Sequence, residues 1–453
     1  MFKRAIFSGC LLLGLVVATP DAAYAVVIQD VVSPNGIHAW LVQDNKLPIV
    51  AMDFAFRGGV EQDPADKQGL ADLATSLMTE GAGGLNAQSF QQQLSDHSIT
   101  MGFAAGRDAL SGHIKMLQAE ADVGFDLLHM ALTQPRIDAN DFNTRRDQQL
   151  TAIRAQYGNP GWQARYALYQ KIYAGHPYGQ RHLGSAQTVS AISRDDVRHF
   201  LTDHMARDNL VIAVTGAISA GELRRILDQV FADLPAHAKT TPIADVTVHL
   251  NCSASPTVIA VPREGTQTSL LFAMQGPKRD DPDWYAAQIA NYILGGGGFS
   301  SRLMQQVRDK RGLTYGISTS VMAMDHAGVI IGNTDIDNTK VGTAWETISK
   351  TLQDFYDDGV KVKEINAAKD YLTGSMPLAM TSTDRIAAVL LSLQLDHLGT
   401  DYLDHYSAMI RAVTPDDVER VIRRWFNPDH ITLSMVGKPE GVTPTQTQPL
   451  VHE

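Results

Sequence analysis

Apolar positions along the chain recur with two different periods. Met52, Phe54 and Phe56 alternate with smaller or polar residues, as expected of a half-buried strand, and Arg57-Gly58-Gly59 ends the run. Leu70, Leu73, Ala74 and Leu77 then recur at i, i+3, i+4 and i+7, which predicts a helix over 68–80 stopped by Gly81. Upstream, Pro34-Asn35-Gly36 reads as a turn between two extended runs. The second half of the chain has the same order. A strand over 270–274 is followed by Gly276, then Asp281-Pro282, then a helix marked by Ala286, Ile289, Ala290 and Ile293.

The spacing of the punctuating residues indicates a duplication. The offset from Gly58 to Gly276 recurs unchanged between Asp63 and Asp281 and between Pro64 and Pro282. Ser193-Arg-Asp-Asp-Val197 and Thr414-Pro-Asp-Asp-Val418 both read as capped helix starts. Each leads through a helix and Asp208-Asn209 or Asp429-His430 to a strand ending in Gly216 or Gly437, and these pairs also share one common offset. The expected fold class is α+β: two homologous sandwich-like halves of mostly antiparallel sheet with helices, forming a clamshell. The expected division is a signal peptide over 1–25, an N-terminal half over 26–235, a linker over 236–247, a C-terminal half over 248–440 and a tail over 441–453. Val341, Trp345, Ile348, Leu352 and Phe355 mark one further amphipathic helix of core residues.

Composition adds constraints. Lys3 and Arg4, an apolar run over 5–17 and Ala23-Tyr-Ala25 have the form of a secretory signal, which makes a secreted, periplasmic location the expectation. Cys10 lies too early in the apolar run for a lipidation site, and the run is too short to span a membrane. The formal charge of −11 becomes −12 once Lys3, Arg4 and Asp21 are removed, which argues against nucleic acid as a partner. Only Cys252 would remain after processing, read as a buried small side chain or a reactive thiol.

The densest chemistry lies in the run Gly295-Gly-Gly-Gly-Phe-Ser-Ser-Arg302 and its continuation through Arg308 to Tyr315. No Gly-Lys-Ser or Gly-Lys-Thr follows the glycines, so they are not a Walker-type phosphate cradle. Flexibility or close backbone approach is the expected reason for them, with Gly81-Ala-Gly-Gly84 in the equivalent place of the first half. Arg308 and Tyr315 admit two readings: donors for a polarised carbonyl or oxyanion, or a surface arginine paired with Asp309 beside a core tyrosine.

Together with Arg57-Gly-Gly-Val-Glu-Gln-Asp-Pro, Gly69-Leu-Ala and His176-Pro-Tyr-Gly179, this run resembles the pitrilysin-like or insulinase-like zinc peptidases, in the branch of mitochondrial processing peptidase. In that family an inverted His-x-x-Glu-His motif on the first-half helix supplies two zinc ligands and the general base. The resemblance places Asp72, Thr75 and Ser76 at those positions, and Ala152, within Leu150-Thr-Ala-Ile-Arg154, where a further glutamate ligand would stand. It implies a degenerate zinc motif with no cofactor in this chain. It also implies that Arg308 holds a substrate backbone and that Tyr315 donates to an oxyanion at the zinc site of a homologous partner subunit acting on peptides. A non-catalytic peptide-binding or scaffold protein with the same fold is the alternative.

Overall fold

The computed structural model describes residues 27–246 and 256–452. The signal-like segment, Cys252 and the last linker residue lie outside them. In the first half the elements run β1 (Gln29–Val32), β2 (His38–Gln43), β3 (Ile49–Arg57), α1 (Leu70–Leu77), β4 (Gly81–Ala82), β5 (Leu85–Asn86), α2 (Ala87–Asp96), β6 (Thr100–Ala105), β7 (Ala109–Leu117), α3 (Ala121–Thr133), α4 (Ala139–Tyr157), α5 (Pro160–Ile172), α6 (Ala186–Ser190), α7 (Arg194–His204), β8 (Leu210–Gly216) and α8 (Ala220–Phe231). In the second half they run β9 (Thr257–Pro262), β10 (Gln267–Gln275), α9 (Trp284–Asn291), β11 (Thr314–Ala323), β12 (Gly328–Asp337), α10 (Val341–Asp358), α11 (Val362–Ser375), α12 (Thr383–Leu395), α13 (Tyr402–Ala412), α14 (Pro415–Trp425), β13 (Thr432–Gly437) and β14 (Gln446–Thr447).

Each half builds one six-stranded sheet, ordered β1-β2-β8-β3-β7-β6 and β14-β9-β13-β10-β12-β11. The two orders match position by position. Both have a parallel pair in the same place, β2 with β8 and β9 with β13, and long central strands that pair antiparallel; they differ at the edge, where β14 joins β9 parallel but β1 joins β2 antiparallel. The repeated helix starts are real capping boxes: Ser193 with Asp196 on α7, and Thr414 with Asp417 on α14. Gly216 and Gly437 both end their strands at positive φ (128° and 155°), and a Cβ on either would lie within 2.4 Å of a neighbouring strand's atoms.

The strand around Met52 departs from its sequence pattern. Met52, Phe54 and Phe56 are buried among the helices of their own half, as the alternation implies, but Ala51 and Ala55 on the other face are buried too. That second face is covered by α12, a helix of the other half, whose Leu390 and Leu391 pack on Val42, Ala55 and Ala213. Fully burying a leucine side chain contributes about 1.5–3 kcal/mol. Asp53 lies between the two alanines, and burial together with the neighbouring Asp384 pushes its carboxyl up to about 6.

The relation is reciprocal. Helix α5 of the first half lays Ala164, Ala167, Leu168 and Ile172 on the second sheet, against Ile259, Val261, Leu271 and Ala273. Polar ties reinforce both crossings. Arg57 donates from its two terminal nitrogens to the Gln394 and Leu395 carbonyls (2.8 and 3.0 Å), and Gln394 Nε2 donates to the Ile212 carbonyl (2.9 Å). Gln163 exchanges hydrogen bonds with Val451 near the C-terminus. Heating monitored by calorimetry should therefore give one cooperative transition for both halves, not two.

The segment joining the halves is also anchored. Gln62 and Thr241 exchange two hydrogen bonds (3.1 and 2.8 Å), and Val246 donates from its backbone to the His326 carbonyl (2.8 Å). Beside it lies Tyr178 of the His-Pro-Tyr-Gly run, fully buried. Its hydroxyl donates to Asp108 Oδ1 (2.5 Å) and accepts from the His326 backbone (3.0 Å), bridging the halves. Among the described residues no helix is long and apolar enough to cross a membrane.

Candidate functional site

Helix α1 begins where it does because of Gly69 and Asp63. Gly69 has φ 92°, and a Cβ there would stand 2.4 Å from the Leu183 carbonyl oxygen. The buried Asp63 carboxylate accepts from the backbone of Gly69 (2.7 Å) and Ala71 (2.9 Å), supplying the cap that Gly69 lacks. Helix α4 is fastened to the same place: Gln149 Nε2 donates to the Gly69 and Leu183 carbonyls (2.9 and 3.0 Å).

The positions that the resemblance assigns to the zinc motif sit on this frame. Thr75 is buried, and its hydroxyl donates back to the Ala71 and Asp72 carbonyls (3.0 and 3.1 Å), while Ser76 donates to the Leu73 carbonyl (2.8 Å). Ala152 is exposed on α4 and has no ligating atom. Asp72 alone offers a carboxylate, and it faces His182 Nε2 at 3.7 Å. His182 gives no signal in the sequence, because it reaches α1 from a loop beyond α5 without any periodic pattern. One carboxylate, one imidazole and two hydroxyls already committed to backbone carbonyls do not fit a zinc ion. Among the described residues no group of three or more histidines, cysteines or acids could hold a metal.

The second-half element is built differently. Helix α9 continues into a π-helical turn over Tyr292–Gly296, and a second π-helical segment, Met304–Asp309, carries Arg308 near its end. π-turns of this kind occur often at functional sites. The glycines are there for close approach: a Cβ on Gly295 would lie 2.5 Å from Thr319 Oγ1 and 2.9 Å from the Thr319 backbone nitrogen, and Gly298 takes φ 56°. The first-half counterpart, Gly81 to Gly84, instead forms the turn of the β4–β5 hairpin, so the two glycine runs share position but not conformation. Replacing Gly295 with alanine should push α9 away from β11 and cost about 1–3 kcal/mol, measurable by urea titration.

The two arginines of the stretch have different roles. Arg302 is locked in a bidentate pair with Glu364 (2.9 and 2.8 Å). Arg308 lies over the ring of Phe299 at 4.6 Å, and Asp309 approaches it only to 4.0 Å. Tyr315 sits where the β11–β12 register shifts between Thr314 and Ile317, a bulge that re-aims a side chain outward. It is 89 % exposed, and its phenol has no hydrogen-bond partner among the described residues, so it is not a core residue. No hydrogen bond or ion pair among those residues joins Arg308 or Tyr315 to the positions on α1 and α4.

Comparison with known proteins agrees with this arrangement. The sequence model of the family described as "Peptidase M16 inactive domain" matches residues 191–372. A solved structure of a peptidase M16 inactive domain from Pseudomonas fluorescens superposes with a TM-score of 0.84 at 26% identity, covering 93% of this chain and 99% of that one. In fold and in the matched part of its sequence the chain resembles the M16 peptidase family. Similar proteins include a non-peptidase homolog, YmxG of Helicobacter pylori, 24% identical over 345 residues (74% of this chain, 77% of the relative). They also include a probable mitochondrial-processing peptidase subunit beta of Arabidopsis thaliana, 20% identical over 421 residues (89% and 77%). The likeness to M16 inactive domains thus stands together with a side-chain set at Asp72, Thr75, Ser76 and Ala152 that does not fit a zinc ion.

Proposed function

We propose that this chain is the zinc-less subunit of a two-subunit metallopeptidase, contributing Arg308 and Tyr315 to the site of a homologous, zinc-bearing partner. The observation that carries this reading is the contrast between the two halves. Asp72, Thr75 and Ser76 on α1 offer no zinc ligand set, while the second half presents a guanidinium and a phenol that no strong partner occupies, on a frame of close-packed glycines. Arg308 holds the backbone of an extended peptide through its fork of donors, and Tyr315 donates to the carbonyl oxygen as it gains charge. The signal-like segment over 1–25 supports a secreted, periplasmic setting.

The test is co-expression of the full chain with a His-x-x-Glu-His-bearing relative from the same source. The chain alone should cleave no peptide and hold no stoichiometric zinc, and the co-purified pair should do both. A non-catalytic scaffold is the second reading, supported by the non-peptidase designation of the Helicobacter pylori relative. It is favoured instead if no such pair forms, or if a pair forms whose activity does not depend on this chain.

A further inference from the structure

Next to the α1 motif, between α5 and the loop that carries His182, lies a cavity of about 330 Å³ that the proposed catalytic role does not use. That is the small end of the range for ligand sites, room for a short piece of chain and not for a folded partner. Three features of its wall are unusual in a protein of net charge −11.

The first is cationic. Arg107, Arg165 and Arg181 all line the cavity, and none of them forms an ion pair with a carboxylate among the described residues. Arg107 is held in place by the Tyr178 carbonyl (2.9 Å) and lies 5.3 Å from the centre of the Tyr169 ring; Arg181 lies 4.9 Å over Tyr166. Arg107 and Arg181 are thus held in place with donors to spare and Arg165 adds an unpaired charge beside them, a set that suits a carboxylate. The second is aromatic. Trp162 and Tyr166, one turn apart on α5, are stacked at 5.3 Å with parallel planes and offer a flat apolar wall. The third is an unmet acceptor: the side-chain oxygen of Gln180 is buried without a hydrogen-bond partner. A buried acceptor left alone is costly, and a ligand N–H satisfies it.

A carboxylate, an apolar or aromatic side chain and an N–H donor together describe one residue of a peptide, not an inorganic anion. We infer that this cavity is a peptide-binding subsite that captures a carboxylate-bearing residue, with Arg165 and Arg181 taking the carboxylate, Gln180 the amide N–H and the Trp162–Tyr166 wall the side chain. The inference rests on the reading of the chain as a peptide-handling protein. It adds what that reading lacks, a chemical preference. The carboxylate can be the peptide's C-terminus or an Asp or Glu side chain.

The experiment uses the full chain alone, with calorimetry and tryptophan fluorescence as readouts. Three probes are compared: acetyl-Ala-Phe as the free acid, the same dipeptide as its amide, and acetyl-Glu-Phe-amide. At least one carboxylate-bearing probe should bind and perturb Trp162, and the Ala-Phe amide should bind at least about tenfold more weakly, as expected for loss of one charge-assisted contact. Preference for the free acid identifies the C-terminus as the ligand, and preference for the glutamyl amide identifies a side-chain carboxylate. The pair Arg165→Ala and Arg181→Ala should lower affinity for the preferred probe about tenfold and leave the Ala-Phe amide unchanged. Arg165 is exposed and makes no contact to lose, so Arg165→Ala alone serves as the folding-neutral variant, with a smaller loss expected. Trp162→Phe should abolish the fluorescence change but not the heat. Equal binding of free acid and both amides, no binding of any probe, or affinity unaffected by the arginine variants overturns the inference. Because no partner subunit is present, such a failure leaves the roles of Arg308 and Tyr315 standing, and their failure leaves this subsite standing.

Discussion

Arg308→Ala and Tyr315→Phe should each lower peptide cleavage by the reconstituted complex by about 10²- to 10³-fold, the usual effect of removing one donor to a developing oxyanion or its equivalent substrate clamp. The two losses should differ in kind. In the proposed role Tyr315 would act on charge that exists only in the transition state, so its loss should appear in kcat. Arg308 would bind the peptide before and during reaction, so its loss should appear largely in KM. Tyr315 is almost entirely exposed and Arg308 makes only the one weak ion pair, so neither change should alter the melting temperature or assembly of the pair. Arg302→Ala is the informative contrast: it breaks the bidentate contact with Glu364 and should destabilise the chain without a selective effect on kcat. Full activity in both the Arg308 and Tyr315 variants would sink the catalytic role and favour a scaffold.

A second large effect is expected from pH. Glu61 is 7 % exposed in the turn after β3; its Oε1 accepts a long contact from the Gly59 backbone (3.4 Å), and its Oε2 has no partner. Burial first, and then the neighbouring Asp108, hold its carboxyl well above the ordinary carboxylate range, and Asp325 pushes the same way. The surroundings are otherwise Tyr178, which occupies Asp108, with His176, His326 and Arg107 grouped around that ring. The folded chain therefore keeps a proton at neutral pH that the unfolded chain has released. For a raised pKa the stabilisation is complete below the unfolded value and is lost as pH rises toward the folded one. Stability should thus fall by about 1.4 kcal/mol per pH unit for this one proton between about pH 5 and pH 8. Glu61→Gln keeps the shape and removes the proton, so its urea midpoints should lack that slope. Parallel curves for the two proteins would show that Glu61 is ionised in the fold.

The sequence made the duplication readable because its markers are local. A capping box, a glycine at a strand end and an i, i+3, i+4 stripe each need only their neighbours, and all of them stand where expected in both sheets. The failure at β3 has the opposite cause. Ala51 and Ala55 are small enough to pass for solvent-side residues, and only the arrival of α12, from late in the second half, buries them. The candidate site divides the same way. That Asp72, Thr75, Ser76 and Ala152, the positions the resemblance assigns to the zinc site, offer no ligand set is a matter of residue identity and needs no fold to read. The approach of His182 to Asp72, the bulge that turns Tyr315 outward and the arginine-lined cavity beside α5 depend on chain segments meeting in space.

The exchange of α5 and α12 between the halves bears on how such a chain came to exist. A single half, cut free, would expose the apolar side of its sheet and carry a long helix with nothing to lie on, so it could not persist as a monomer. Two copies of an ancestral half would solve this by trading that helix, a swapped homodimer of closed two-fold symmetry. Fusion of the two genes would then fix the pair in one polypeptide and release each copy to diverge. The same geometry implies that a protease nick in the connecting segment should yield two fragments that still travel as one particle.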